Sequence, residues 1–183
     1  MGDANTQSEL EVLFDKDRIA RRVRELGAQI SSDYQGKPLR LVGILKGAWV
    51  FLADLMRAMN LEDLTVDFLG VSSYHDTSRS SGEVMITKDL DLSIEGIDVL
   101  LVEDILDTGE TLHYLMGVLK AHKPRSLKVV VLLDKISRRT RPIQVDYVGF
   151  EIPDRFVVGY GLDYAQKHRQ LPDVRFLKNV PSD

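Results

Sequence analysis

Apolar and polar residues alternate along the chain in blocks that predict strands and helices in turn. Four apolar runs have the length of strands and are bounded by polar residues, at 39–45, 64–71, 97–102 and 127–133. Between them, apolar residues recur at helical spacing after Trp49 and again after Thr111. Strand and helix therefore alternate through this region, which predicts an α/β fold with a doubly wound, mainly parallel sheet flanked by helices.

Polar segments mark a tail, the start of a first helix and a long loop. The first nine residues, MGDANTQSE, are expected to form a disordered tail, and residues 10–183 a single domain. Asp15 can cap a helix whose apolar stripe consists of Ile19, Val23, Leu26 and Ile30. Residues 72–82, SSYHDTSRSSG, are polar and small, which predicts a mobile loop.

Composition excludes several classes of site and partner. The 183 residues include 28 acidic and 24 basic side chains, and the net charge of -4 argues against a broad nucleic-acid-binding face. Cysteine is absent and the four histidines stand singly, so any metal would be held by carboxylates. No apolar run approaches the ~20 residues of a membrane helix, and the start of the chain is unlike an export signal. We therefore expect a cytoplasmic protein.

The segment LLVEDILDTGETL at 100–112 carries the strongest chemical signal. Glu103 and Asp104 follow a buried apolar run, where negative charge is costly unless hydroxyls or a cation compensate for it. The next residues, Asp107 to Thr111, form a short loop into a helix N-terminus, where backbone N–H groups and the helix dipole favour a phosphate. The simpler interpretation is that Asp107 or Thr108 merely caps the helix. Dinucleotide-binding, P-loop and nucleophile-elbow motifs are all absent from the sequence.

This segment is similar to the phosphoribosyl diphosphate motif of the type I phosphoribosyltransferases. Three other segments resemble the hypoxanthine-guanine branch of that family: LVGILKGAW at 41–49, Ser73-Tyr74, and VGFEIPDRFVVGYGLDYAQKHR at 148–169. The resemblance implies the type I phosphoribosyltransferase fold with a small hood and a mobile active-site loop. It also implies purine salvage, in which a phosphoribosyl group passes from phosphoribosyl diphosphate to hypoxanthine or guanine, giving IMP or GMP and diphosphate.

The resemblance further implies a role for each matching residue. The ribose and 5'-phosphate would contact Glu103, Asp104, Asp107, Thr108, Gly109, Glu110 and Thr111. Mg²⁺ would be held by Glu103 and Asp104, with Asp163 near a second ion, and Asp107 would act as general base at purine N7. The diphosphate would contact Lys46, Gly47 and Arg169, with a cis peptide bond before the lysine. The 6-oxopurine would contact Lys135, Phe156, Val157 and Asp163, and Ser73 and Tyr74 would belong to a lid.

Several alternatives remain at this stage. A pyrimidine-operon-type RNA-binding regulator has the same fold and phosphate loop. Such a regulator needs a basic face, and the net negative charge of this chain argues against one. Phe156 alone is typical of a core residue, and Trp49 of a core or interface residue. The cluster of Arg138, Arg139 and Arg141 is typical of a solvated turn and receives no role. Relatives in the family imply a homodimer or homotetramer.

Overall fold

Nine strands and three α-helices make up the part of the chain that this computed structural model describes, residues 10–73 and 84–178. The strands, in chain order, are β1 (Leu10–Phe14), β2 (Leu39–Leu45), β3 (Leu64–Ser73), β4 (Val84–Lys88), β5 (Asp98–Leu106), β6 (Ser126–Asp134), β7 (Tyr147–Glu151), β8 (Val157–Val158) and β9 (Val174–Leu177). The helices are α1 (Lys16–Asp33), α2 (Trp49–Ala58) and α3 (Glu110–Ala121). A short 3-10 turn spans Ile136–Arg138.

Six of the strands form one sheet in the spatial order β4-β3-β2-β5-β6-β7. All neighbours in it run parallel except β3 and β4. The chain proceeds from β2 to β3 on one side and from β5 to β6 on the other, so the direction of winding reverses between β2 and β5. In such sheets the ligand crevice lies beyond the carboxyl ends of the strands at this switch point.

The two faces of the sheet bury alternate residues of its central strands. In β5, Leu100 and Val102 pack in the cluster that contains the apolar stripes of α1 and α2. Val99 and Leu101 face the other way and pack with α3. Because side chains of a strand alternate between faces, a continuous apolar run is what a sheet covered on both faces requires. The predicted doubly wound α/β fold is confirmed.

A second, three-stranded sheet forms the hood, with the order β1-β9-β8. Both of its pairings are antiparallel, and Leu10 is paired with Leu177 at one edge. This hood joins the start of the described chain to its end. Its strand β8 follows the loop that carries Phe156, so the hood positions the residues predicted to hold the purine.

Most predicted elements are confirmed, and two boundaries are wrong. Asp15 caps α1 by accepting a hydrogen bond from Arg18 N at 2.8 Å. The strand predicted to end at Val102 continues to Leu106, because its ladder with β6 continues past the two carboxylates. Ser72 and Ser73, predicted to start the loop, belong instead to β3.

Two predictions fall on residues outside the described part of the chain. The expected tail at 1–9 lies outside the described residues, as does the predicted loop from Tyr74 onward. The single domain at 10–183 stays a prediction. No helix in the described residues is long and apolar enough to cross a membrane.

Candidate active site

The predicted site residues lie at the carboxyl ends of β2, β5 and β6 and in the loops beside the hood. Lys46 follows β2, Asp107 follows β5, and Lys135 follows β6. These three strands are neighbours in the sheet, because β5 pairs with both β2 and β6. The parallel arrangement therefore brings residues that are far apart in sequence to one edge.

Glu103 and Asp104 are partly buried carboxylates near the carboxyl end of strand β5. Oε2 of Glu103 is buried and has no hydrogen-bond partner among the described residues. Burial, and then the adjacent Asp104 charge, raise the pKa of Glu103 well above its ordinary range. Burial also raises the pKa of Asp104 to about 6, although backbone N–H groups and the Arg169 charge oppose that rise. An unpartnered buried carboxylate of this kind favours binding of a cation or a hydroxyl.

The carboxylates suit a Mg²⁺ ion that shares its coordination with a substrate. Within the ranges 10–73 and 84–178, no three acidic, histidine or cysteine side chains cluster closely enough to hold a metal by themselves. Mg²⁺ is commonly bound by one or two carboxylates, with waters and substrate phosphates completing the octahedron. Glu103 and Asp104 match that donor set, and the free buried oxygen of Glu103 gives a reason for a cation there.

The loop after β5 that is predicted to bind phosphate leads directly into helix α3. Gly109 is the N-cap residue, with φ of 88°, a left-handed conformation that glycine adopts without strain. The N-cap residue itself has no side chain, so neither Asp107 nor Thr108 occupies the capping position that the simpler interpretation gave them. The Thr108 hydroxyl only accepts a long hydrogen bond from Glu110 N, at 3.4 Å. Backbone N–H groups in the first turn of a helix lack intrahelical acceptors, and this helix terminus therefore favours an anion.

The loop after β2 lies directly against the carboxylates. The peptide bond between Leu45 and Lys46 is cis, as the resemblance implied. A Cβ atom at Gly47 would overlap the carboxylate of Asp104, and one at Gly161 would overlap the carbonyl oxygen of Gly47. Glycine at both positions therefore allows three segments of backbone to meet at this point. The loop could not approach Asp104 this closely with any other residue at position 47.

Asp163 and Arg169 form an ion pair beside the same loop. Their side chains lie 2.6 Å apart and are largely buried. The guanidinium of Arg169 also donates to the carbonyl oxygen of Gly161 at 2.7 Å. Asp163 accepts a hydrogen bond from Gln166 N at 2.7 Å. The structure thus brings Asp163, Arg169 and the Gly47 loop together.

Asp107 and Lys135 meet at the ends of β5 and β6. The Lys135 ammonium group lies 3.4 Å from Asp107 Oδ2 and 4.0 Å from Asp154 Oδ1. Lys135 is buried, with 6% of the residue exposed, and its N–H donates to the carbonyl oxygen of Leu106. A buried ammonium group beside carboxylates is held ready to donate hydrogen bonds to a ligand that enters the crevice.

Phe156 presents an exposed ring at the edge of this crevice. The residue is 38% exposed, so the interpretation as a core residue is wrong. Its ring packs edge-on against Tyr164, with centroids 5.4 Å apart and planes at 85°. Val157, by contrast, is buried in β8. Part of the Phe156 ring is therefore open to contact with a flat ligand. Tyr164 was not among the predicted site residues, since no spacing distinguishes it.

The arginine cluster after Lys135 lies on a largely exposed turn, as its charge pattern predicted, but it also contacts the site. Arg138 Nε donates to Asp107 Oδ1 at 3.1 Å. Arg139 is partly buried and pairs with Asp134. Arg141 Nε lies 3.0 Å from both oxygens of Glu110. The pattern of four basic residues in seven was visible in the sequence, but Asp107 and Glu110, the carboxylates that Arg138 and Arg141 contact, are remote along the chain.

The remaining predictions divide between surface and undescribed residues. Trp49 is 52% exposed and so is not a core residue. Lys46 and His113 are exposed. Ser73 ends β3, while Tyr74 lies outside the described residues, so their role in a lid stays a prediction.

Comparison with known proteins gives matches over nearly the whole chain. A family model described as "Phosphoribosyl transferase domain" matches residues 9–165. A hypoxanthine-guanine phosphoribosyltransferase of Bacillus subtilis is 50% identical over 168 residues, covering 92% of this chain and 93% of that protein. The crystal structure of a hypoxanthine phosphoribosyltransferase from Staphylococcus aureus has a TM-score of 0.90 at 49% identity, and 97% of each chain is covered.

A third match concerns assembly as well as activity. It is a structure of the hypoxanthine phosphoribosyl transferase of Trypanosoma cruzi, from work on the role of its C-terminal region in oligomeric state and enzymatic activity. Its TM-score is 0.85 at 43% identity, covering 91% of this chain and 90% of that chain.

Proposed function

This chain belongs to the phosphoribosyl transferase family, and we propose that it is the purine-salvage enzyme that joins hypoxanthine or guanine to phosphoribosyl diphosphate. The products are IMP or GMP and diphosphate. The reaction breaks the bond between the anomeric carbon and the diphosphate oxygen, and a purine nitrogen forms the new bond with inversion. The regulator alternative has no support from the relatives described above, which are all named as phosphoribosyltransferases.

The purine is proposed to bind between the ends of β5 and β6 and the hood. Lys135 donates to the 6-oxo group, and the exposed ring of Phe156 stacks on the base. Backbone groups near Val157, together with Asp163, contact the opposite edge of the base. Asp107 is the general base at N7, because its carboxylate lies beside Lys135 and so reaches the same ligand.

The phosphoribosyl group is proposed to bind along the carboxylates and the N-terminus of α3. Glu103 and Asp104 accept hydrogen bonds from the ribose hydroxyls, and the backbone from Thr108 to Thr111 binds the 5'-phosphate. Lys46, Gly47 and Arg169 contact the diphosphate. Arginine suits this role because its planar fork binds phosphate oxygens in pairs.

Mg²⁺ is proposed as the cofactor, held by Glu103 and Asp104 together with substrate oxygens, with Asp163 near a second ion. A bound Mg²⁺ neutralises the charge that develops on the departing diphosphate. The protein's own residues contribute in the same direction, since Lys46 and Arg169 place positive charge where negative charge accumulates. Catalysis results because these contacts strengthen as the bond to diphosphate lengthens.

The observation that carries this proposal is the meeting of Asp107 and Lys135 at 3.4 Å beside the start of α3. These groups lie 28 residues apart in sequence, and together they supply a base and a hydrogen-bond donor for one ligand. ³¹P NMR of a mixture of the protein, Mg²⁺, phosphoribosyl diphosphate and hypoxanthine tests it. Signals of IMP and diphosphate are expected to replace those of phosphoribosyl diphosphate. Unchanged phosphoribosyl diphosphate would refute the proposal.

Assembly as a homodimer or homotetramer in the cytoplasm completes the proposal. Trp49 is exposed at the rim of an open cavity of about 580 Å³, whose lining includes Val50, Ile19 and Leu171. An exposed apolar patch of this kind is typical of an interface between subunits. Light scattering on the purified protein tests it, and the 20.7 kDa of a monomer would contradict it.

A further inference from the structure

Asp107 belongs to a cluster of four charged side chains in which negative and positive groups alternate. Asp107 Oδ2 lies 3.4 Å from Lys135 Nζ, and Oδ1 accepts a hydrogen bond of 3.1 Å from Arg138 Nε. Asp154 faces both cations, 4.0 Å from Lys135 and 3.8 Å from Arg138. Each carboxylate therefore faces two cations, and the two oxygens of Asp107 have different partners.

The two cations on Asp107 differ in burial and in their other tasks. The side chain of Lys135 is 8% exposed and is the proposed donor to the purine oxo group, so its ammonium group is shared once a base is bound. The side chain of Arg138 is 50% exposed and approaches from the solvent side on the 3-10 turn. No substrate atom is assigned to Arg138, and it can keep its bond to Oδ1 throughout the reaction.

The turn that carries Arg138 is fixed to the loop that carries Asp107. The backbone N–H groups of Thr140 and Arg141 donate to the carbonyl oxygen of Thr108, at 3.0 and 3.2 Å. The N–H of Arg138 donates to the carbonyl oxygen of Lys135 at 3.1 Å. The contact between Arg138 and Asp107 thus belongs to two joined backbone segments, whereas most exposed ion pairs join two independently mobile side chains.

We propose that Arg138 is a positioning residue for Asp107. It holds Oδ1, so that Oδ2 faces N7 of the purine when Lys135 turns to the oxo group. A carboxylate otherwise rotates readily, since the terminal torsion of an aspartate side chain is broad. A charge-assisted hydrogen bond restrains that rotation and keeps a positive charge beside the ionised base. This inference rests on the proposed function, because it requires Asp107 to act as the base.

The test compares Arg138→Gln, Arg138→Lys, Asp107→Asn and the double variant D107N/R138Q in initial-rate assays with hypoxanthine and phosphoribosyl diphosphate. For Arg138→Gln we expect kcat to fall about tenfold, a part of the 10²–10⁴ that general-base assistance contributes, with little change in either KM. Arg138→Lys is expected to recover most of the loss, because lysine keeps a charged donor. The double variant is expected to be no slower than Asp107→Asn, since Arg138 acts through that carboxylate.

Arg125→Gln is the matched control. The side chain of Arg125 is also 50% exposed and pairs with Asp98, but this pair lies at the opposite end of β5. Its kcat is expected to equal that of the wild type. Melting curves of all variants verify that the loss of activity is not a loss of folded protein.

Two results would overturn the inference while leaving the proposed function intact. One is wild-type kcat in Arg138→Gln when Asp107→Asn is slow. The other is an additive loss in the double variant, which would indicate that Arg138 acts by a route other than Asp107. Wild-type kcat in Asp107→Asn would instead refute the assignment of Asp107 as the base, and the inference would fail with it. Absence of turnover in the wild type would refute the proposed function itself.

Discussion

Gly47 lies so close to the carboxylate of Asp104 that a Cβ atom at residue 47 would occupy the position of that carboxylate. Gly47→Ala must therefore displace one of two groups. One is the loop after β2, which is proposed to contact the diphosphate, and the other is Asp104, the proposed ribose and Mg²⁺ ligand. We expect kcat/KM for phosphoribosyl diphosphate to fall about a hundredfold, the cost of a displacement of about 1 Å in a reacting complex.

Gly117→Ala is the control for this variant. A Cβ atom at Gly117 would meet nothing within 4 Å, and the residue lies on helix α3. This substitution should leave activity unchanged and raise the free energy of unfolding by about 0.5–1 kcal/mol, because alanine favours a helix more than glycine does. A Gly47→Ala enzyme with the efficiency of Gly117→Ala would show that the contact between Gly47 and Asp104 has no role in catalysis.

Asp107→Asn removes the proposed base and preserves the shape of the side chain. We expect kcat to fall by about 10²–10⁴, the usual contribution of general-base assistance. Binding of phosphoribosyl diphosphate, measured by calorimetry with Mg²⁺ present, should remain near the wild-type value, since the 5'-phosphate is proposed to contact the loop backbone. Full turnover in this variant would remove Asp107 from its assigned role.

Lys135→Ala removes the donor proposed for the 6-oxo group. The KM for hypoxanthine is expected to rise more than the KM for phosphoribosyl diphosphate, because of the two substrates only the purine is proposed to contact this ammonium group. Lys120→Ala, an exposed lysine on α3, provides the control and should change neither value. An equal loss of affinity for both substrates would place the function of Lys135 elsewhere.

The central sheet and the carboxylate motif could be predicted because their signals are local. The buried strands β2, β5 and β6 each contain a mostly apolar run, and residues 103–111 form one uninterrupted motif. The predicted end of β5, at Val102, is wrong. The strand continues past the two acidic residues and pairs with β6 as far as Leu106. The carboxylates therefore lie inside the strand, which explains their burial.

Contacts between remote segments could not be predicted from periodicity. The pairing of Leu10 with Leu177 joins the ends of the described chain, and no local pattern specifies such a partner. The same holds for the approach of Gly161 to Gly47 and for the bond from Arg138 to Asp107. The arginine cluster was visible as charge, but its role depends on which carboxylates the fold brings to it.

The stability of the fold should depend on pH through Asp98 at the start of β5. Burial alone would raise the pKa of Asp98, but hydrogen bonds from Arg125 and Ser126 outweigh it and hold the pKa below its ordinary value of 3.8. The folded protein thus binds fewer protons at this site than the unfolded chain. The stabilisation is fully present above the ordinary pKa and is lost as the pH falls through the lowered pKa.

Asp98→Asn tests this dependence in urea unfolding at a series of pH values. At neutral pH the free energy of unfolding of the variant should be lower than that of the wild type by about 1.5–3 kcal/mol, the usual contribution of a hydrogen bond to a charged group. The gap to the wild type should narrow in acid. Asp91→Asn is the control, because the Asp91 side chain is 74% exposed and its pair with Lys88 contributes little. A gap that stayed constant into strong acid would contradict the lowered pKa.

The central claim is transfer of a phosphoribosyl group to a 6-oxopurine, and a spectrophotometric assay tests it most directly. The protein is mixed with phosphoribosyl diphosphate, Mg²⁺ and, separately, hypoxanthine, guanine, xanthine, adenine or uracil, and each reaction is repeated with EDTA. We predict turnover of hypoxanthine and guanine that EDTA abolishes and excess Mg²⁺ restores. Turnover of uracil alone, or of no base at all, would contradict the account.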